Sequence, residues 1–177
     1  MRKSLDFLYD AAGYLAAFFI FAIFAVMIIS TAMREFGMRT GGTDDIVAWF
    51  CAAGSFLAMA HTFRRGDFVR VELLLGRLGE AARRRFEILS LAVAAAFVGF
   101  LAFWAGRFVY ESWKFHDMAN GLIVLPLWIP QMSFVVGALL LFVAVLDELV
   151  TVARGNKPGY VIAVEERHAR GDFTEDV

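Results

Sequence analysis

Charge is absent from about half of this 177-residue chain. Four stretches, 11–33, 46–63, 88–106 and 118–146, contain no Asp, Glu, Lys or Arg, although the chain has 17 basic and 18 acidic residues. Each stretch has, or nearly has, the roughly 20 apolar residues that cross the hydrocarbon core of a bilayer as a helix. A soluble core does not separate charge into such blocks. The distribution excludes a soluble enzyme and a disordered chain.

Residues that commonly perform chemistry are also scarce. Cys51 is the only cysteine, which excludes a disulfide scaffold. The three histidines, His61, His116 and His168, fall in different segments and form no metal-ligand motif. There is no phosphate-binding glycine loop and no nucleophile elbow. We therefore expect no enzyme activity, no catalytic, substrate-binding or metal site, and no cofactor.

The uncharged stretches predict an all-α membrane protein with four transmembrane helices, over about 11–33, 46–63, 88–106 and 121–146. Residues 1–10 would form a short interfacial lead-in. Pro126 and Pro130 divide the last stretch, so we expect a short or re-entrant piece before Pro130. Residues 1–154 would form the membrane domain, and residues 155–177 a polar, mobile cytoplasmic tail.

The loop between the second and third spans is amphipathic. Apolar residues recur at three- and four-residue spacing: Val71, Leu74, Leu75, Leu78, Ala82 and Phe86. This spacing predicts an amphipathic interfacial helix over about 70–86, with its arginines on phospholipid phosphates. A helix that contacts a protein partner would show the same pattern, and the two can coexist.

Basic residues are divided unequally between the two sides of the membrane. The N-terminus, the second loop and the tail hold 13 of the 17 Lys and Arg residues. Because basic residues are retained on the cytoplasmic face, we expect both termini and the second loop to be cytoplasmic.

The few polar residues in the spans are compatible with three kinds of membrane protein: a packing and anchoring subunit, the membrane anchor of a redox enzyme, and a stand-alone channel or carrier. The second span is rich in Ala and Gly, which favours close packing against other helices. His61 near its end could belong to a haem- or quinone-associated membrane anchor of a redox enzyme, or be a hydrogen-bonded interfacial histidine. A stand-alone channel or carrier is disfavoured, because such proteins usually place ionisable groups inside the membrane.

Two motifs resemble those of the small, DctQ-type membrane subunit of tripartite ATP-independent periplasmic (TRAP) transporters. The first is the segment 49–75, WFCAAGSFLAMAHTFRRGDFVRVELLL, preceded by Asp45. Its matching positions are Asp45, Trp49, Gly54, Arg64, Arg65, Gly66, Arg70, Val71 and Glu72. Phe68 stands where the family commonly has histidine. The second motif, Leu125-Pro-Leu-Trp-Ile-Pro130 followed by Gly137, resembles the family's Pro-x-Trp-x-Pro start of the last span.

The resemblance implies a function that depends on other chains. In that family the small subunit pairs with a large permease subunit in the bacterial inner membrane. The large subunit carries the substrate and sodium sites, and a periplasmic binding protein delivers an organic acid. The small subunit would scaffold the large one and contact phospholipids, with no nucleic-acid partner. The candidate partner- or lipid-contacting residues are Asp45, Trp49, Gly54, Arg64, Arg65, Arg70, Glu72, Pro126, Trp128 and Pro130.

Overall fold

A computed structural model of the chain describes residues 2–38, 40–66, 79–156 and 158–169. These residues form five α-helices and no strand beyond one isolated bridge, Met118 to Pro126. The helices are α1 (Arg2–Glu35), α2 (Thr43–Arg65), α3 (Glu80–Lys114), α4 (Trp128–Ala153) and α5 (Gly159–Ala169). The first four are long and apolar enough to span a membrane, which confirms the all-helical class and the number of spans.

The spanning helices extend beyond the uncharged stretches. At 34 and 35 residues, α1 and α3 are each about 50 Å long at 1.5 Å per residue, well over the bilayer core. The predicted lead-in of residues 1–10 is not separate, because α1 is continuous from Arg2. Charged residues therefore mark where a helix leaves the hydrocarbon, while the helix itself continues.

The four spanning helices pack in the order α1–α2–α4–α3, and α5 packs against α2. The inner position of α4 is reflected in its burial. In the most apolar 18-residue stretch of α4, 44% is buried, whereas in the corresponding stretch of α1 only 11% is buried. One core cluster joins Tyr9, Ala60 and Ala144 from α1, α2 and α4; another joins Leu91 and Ala95 of α3 to α4. The array thus has two outer helices, α1 and α3, with broad exposed apolar faces.

The fourth spanning helix begins later than residue 121, the predicted start of the last span. Residues 119–127 form an irregular connection in which Ala119 N donates to Leu125 O, and α4 begins only at Trp128. Pro130 lies in the first turn of α4, where a missing N–H breaks no helical hydrogen bond. At its other end α4 continues through Asp147 and Glu148 to Ala153, beyond the predicted end of the span at residue 146.

Two further predictions meet the structure only in part. Residues 67–78, most of the predicted amphipathic helix, lie outside the described residues, whereas residues 80–86 form the first turns of α3. The tail is predicted to be polar and mobile, and the structure adds that its residues 159–169 form α5, whose Tyr160 is only 3% exposed and packs against Phe63 of α2.

Candidate functional site

A cluster of ionic groups gathers around Arg64 at the C-terminal end of α2. We define the Arg64 cluster as Arg64 with Asp6, Asp147 and Glu148. The guanidinium lies 3.3 Å from Asp6 of α1 and 3.6 Å from Asp147 of α4, and it donates a hydrogen bond to Glu148 Oε1. The second carboxylate oxygen, Glu148 Oε2, accepts a 2.8 Å hydrogen bond from the backbone N–H of Gly159 in α5. One arginine thus connects α1, α2 and α4, and its main acceptor also holds α5.

Burial makes the Glu148 contacts energetically decisive. Glu148 is fully buried, with a relative exposure of 0%, while Asp6 and Asp147 remain partly accessible. A buried carboxylate is strongly destabilising unless it is paired and hydrogen-bonded. Arg64 and the first backbone N–H of α5 supply those partners. The sequence motif selects Arg64, whereas Asp147 and Glu148 lie just beyond the predicted end of the last span at residue 146 and are not among the predicted site residues.

Tyr9 lies beside this cluster in the core between α1, α2 and α4. Its side chain is 2% exposed and packs with Ala60 and Ala144. Its hydroxyl is within electrostatic range of all four members of the Arg64 cluster. Among the residues that the structure describes, that hydroxyl has no hydrogen-bond partner. A bridging water is the usual solution for such a buried group.

His61 is engaged with α1. Its Nδ1 lies 3.2 Å from the carbonyl oxygen of Tyr9 and 3.4 Å from Asp10 Oδ1. Both neighbours are acceptors, so Nδ1 carries the proton and donates to them. His116 lies at the opposite end of the array, just after α3, so these two histidines could not ligate one haem. The geometry supports the interfacial, hydrogen-bonded interpretation and not the redox anchor.

The opposite end of α2 is held by different contacts. Asp44 and Asp45 occupy its first turn, where negative charge suits the helix dipole. The connection before α4 folds over this end: Leu122 packs on Gly41, and the Asp45 carboxylate fills the space where a Cβ of residue 121 would lie. Gly121 is therefore required for this close approach. We call this region the Asp45 end.

A seam of small residues joins the two ends through the middle of the array. Ala53, Gly54, Leu57 and Ala60 are the buried residues of α2. Gly137 of α4 touches the backbone of Phe56, and the Phe56 and Phe134 rings meet at 4.2 Å. A Cβ on Gly54 would reach 3.5 Å from the carbonyl oxygen of Ala16 in α1. This arrangement confirms that α2 is packed against other helices, as small residues allow in lipid.

The predicted interface residues do not form a single site. Asp45 and Arg64 are separated by about 28 Å along α2, so one group lies at each end. Pro126 pairs with Met118 in the connection near Asp45, and Trp128 and Pro130 open α4 there. Trp49 is partly buried and Arg65 is exposed. Arg70 and Glu72 lie outside the described residues.

No three His, Cys, Asp or Glu residues in the described part of the chain are placed to hold a metal ion. What the structure presents is four tightly packed spans with an ionic connection at one end.

Comparison with known proteins agrees with this architecture. The family profile described as "Tripartite ATP-independent periplasmic transporters, DctQ component" matches residues 23–155, about three quarters of the chain. The match includes all of α2, α3 and α4, and therefore both ends of the array. No curated protein matches the sequence. The chain belongs to the DctQ family, the small membrane component of TRAP transporters.

Proposed function

We propose that this chain is the small permease subunit that scaffolds a large permease subunit for sodium-coupled uptake of an organic acid. A periplasmic binding protein delivers that acid, a dicarboxylate or a sialic acid, to the large subunit. The end of the array that holds the Arg64 cluster, which we call the Arg64 end, faces the cytoplasm, and the Asp45 end faces the periplasm of a bacterial inner membrane, as the loop charges predict.

The observation that carries this proposal is where the charges lie. This chain belongs to the DctQ family, and the middle of each of its spans lacks Asp, Glu, Lys and Arg. The buried ionic group lies at a helix end and connects four helices. Ion-coupled carriers commonly place ionisable or broken-helix groups near the membrane midplane. A fixed support for a partner that does the transport needs only rigid packing.

Reconstitution with and without the partner tests the proposal. The chain, the large permease subunit of the same transporter, and both together are placed in liposomes with the binding protein outside. We expect sodium-dependent uptake of the labelled acid only when both subunits and the binding protein are present. A matched control replaces the sodium gradient with potassium.

Each component of the proposal can fail separately. Uptake by this chain alone would overturn the scaffold assignment and favour a carrier. Full uptake by the large subunit alone would show that no scaffold is needed. Equal uptake with and without the sodium gradient would contradict sodium coupling but not the partnership with the large subunit.

A further inference from the structure

The first turn of α5 closes over the C-terminal end of α2, and two glycines make room for it. A Cβ on Gly66, which ends α2 with a φ of +80°, would lie 2.9 Å from the carbonyl oxygen of Tyr160. A Cβ on Gly159 would lie 2.6 Å from both Arg64 Nη1 and Glu148 Oε1. Cβ atoms in proteins essentially never come within 3.0 Å of a non-bonded heavy atom. The helix α5 therefore reaches the buried ion pair only because both positions lack a side chain.

The contact between α5 and Glu148 pairs a carboxylate with a helix N-terminus. The backbone N–H of Gly159 has no acceptor within its own helix, and it donates to Glu148 Oε2 over 2.8 Å. The positive end of the α5 dipole faces the same carboxylate. Buried Pro158 and Tyr160 flank this N–H in the chain, and the Tyr160 ring meets Phe63 of α2. Glu148 thus shares its two oxygens between the guanidinium and α5.

The end of α4 is complete without α5. The turn after α4, with Gly155 at a φ of +84°, returns two backbone N–H groups to carbonyl oxygens of the last turn of α4. Arg84 of α3 donates to a third carbonyl oxygen, that of Ala153. These terminal carbonyl groups of α4 therefore have partners within the array. The helix α5 can leave without unwinding the helix that precedes it.

By contrast, α5 depends on docking for its own helical structure. It has 11 residues, and isolated helices shorter than about 12–15 residues are marginal in water. Residues with β-branched side chains, which lower helix propensity, occupy three of its first six positions: Val161, Ile162 and Val164. The free energy that keeps α5 helical therefore comes from its contacts with α2 and with Glu148.

We propose that α5 is a hinged strap that docks on the Arg64 end and leaves it as one unit, with the Arg64–Glu148 pair as its anchor. In the closed state, which the structure shows, the strap buries Glu148 and packs on the end of α2. In the open state α5 is unfolded, water takes the place of the Gly159 N–H at Glu148, and the four spanning helices stay packed. Opening also frees Gly66, where the second loop begins. The strap lies within this chain and beyond the matched family residues 23–155, so it does not depend on the proposed partnership.

Two measurements on the full chain in mild detergent test the strap. Hydrogen exchange follows the opening of α5, and labelling of carboxylates with a water-soluble carbodiimide follows access to Glu148. In the unaltered chain we expect the amides of residues 161–169 to exchange in one cooperative step, about tenfold faster than those of residues 138–145 in α4. Glu148 should be labelled in proportion to the open fraction of α5, whereas Asp6, which is 46% exposed, should be labelled without any opening.

The variant Gly159→Ala shifts the strap towards the open state, because the new methyl group overlaps the Arg64–Glu148 pair. We expect the exchange of α5 and the labelling of Glu148 to rise together, each about tenfold, while α4 stays protected. Gly79→Ala is the matched control. Gly79 also precedes a helix at this end of the array, but a Cβ there meets no atom within 4 Å, so this variant should change neither rate.

Three results would overturn the proposal. Exchange of α5 no faster than that of α4 in the unaltered chain would make α5 a fixed part of the core. Faster exchange of α5 without labelling of Glu148 would show that α5 does not cover the carboxylate. Equal effects of Gly159→Ala and Gly79→Ala would show that the ion pair is not the anchor. If Gly159→Ala unfolds the whole chain, the first two comparisons, made on the unaltered chain, decide.

Discussion

The two ends of the helical array are held together by different physical means. At the Arg64 end, one guanidinium and a fully buried carboxylate connect the helices. At the Asp45 end, the connection 119–127 is closed by its own backbone hydrogen bonds, and it meets the start of α2 through close contacts at Gly41 and Gly121. Packing at the Arg64 end therefore depends on charge compensation, whereas packing at the Asp45 end depends on glycines, which have no side chain to block the close contacts.

This difference shows which end tolerates change. An ionic group that is buried and paired is strongly coupled, because removing one partner leaves the other without compensation. Contacts that depend on a missing Cβ fail by steric overlap, and a connecting segment can relieve part of that overlap by shifting. We therefore expect the Arg64 end to respond more steeply to single substitutions.

The largest loss of stability is expected when the buried Glu148 loses the cation that pairs with it. Arg64→Ala leaves the buried Glu148 carboxylate without its cation, and the structure should lose about 3–5 kcal/mol of stability. Thermal unfolding of the purified chain in mild detergent measures this loss. Asp6→Asn, which touches the same guanidinium from an accessible position, is the matched control and should cost less than about 1 kcal/mol. Similar losses for both variants would contradict the central role of Glu148.

The number and approximate location of the spans were predictable from the sequence, but which helices pack against each other was not. Blocks without charge located all four helices because water-facing and lipid-facing segments differ sharply in composition. Inside the membrane that contrast disappears. Leu91 is buried and Leu89 is 60% exposed on the same helix, yet both are apolar. Buried and lipid-facing sides of a span therefore show no clear periodicity of apolar and polar residues, and the packing order α1–α2–α4–α3 cannot be read from the sequence.

The candidate site was predictable only in part for a related reason. The motif selects Arg64, whereas Glu148 lies just beyond the uncharged stretch that predicts the last span, where an acidic residue ordinarily faces water. The available signal was topological: the end of α2 and the end of α4 lie on the same side of a four-span protein. A cation and two acids at the same level could then have been paired. The burial of Glu148 also requires α5, which was expected to be mobile.

The second prediction concerns the seam between the two ends. Gly137→Ala places a Cβ against the Phe56 backbone, so α2 and α4 must move apart, at a cost of about 1–3 kcal/mol. Gly106→Ala is the matched control, because a Cβ there meets no atom within 4 Å, and helix propensity favours alanine by up to about 1 kcal/mol. Unfolding of both variants in detergent should show opposite signs. Equal shifts would mean that the close contact at Gly137 is unimportant.

The third prediction tests the Asp45 end directly. In Gly121→Ala the new methyl group overlaps the Asp45 carboxylate, and we expect a loss of about 1–2 kcal/mol as the connection shifts. The double variant Gly121→Ala with Asp45→Ser should recover part of this loss, since the smaller side chain makes room. Hydrogen exchange of residues 119–127 should rise in the single variant while α5 stays protected. Loss of protection at α5 as well would show that the two ends are not independent.

The smallest predicted effects are the coupling energies of two ion pairs of the same type, one at each end of α3. Arg83–Glu87 lies at the Arg64 end and Arg107–Glu111 at the Asp45 end, both with arginine four residues before the acid. This order is the weaker one for helix pairs, so each coupling energy should be no more than about 0.3–0.5 kcal/mol. Glu87 is less exposed than Glu111, 15% against 48%, and screening by salt should therefore be weaker there. Double-mutant cycles with Gln substitutions, measured at low and at high salt, should show a coupling that persists at Arg83–Glu87 and vanishes at Arg107–Glu111. The reverse order would show that burial at the Arg64 end does not strengthen its peripheral ion pairs.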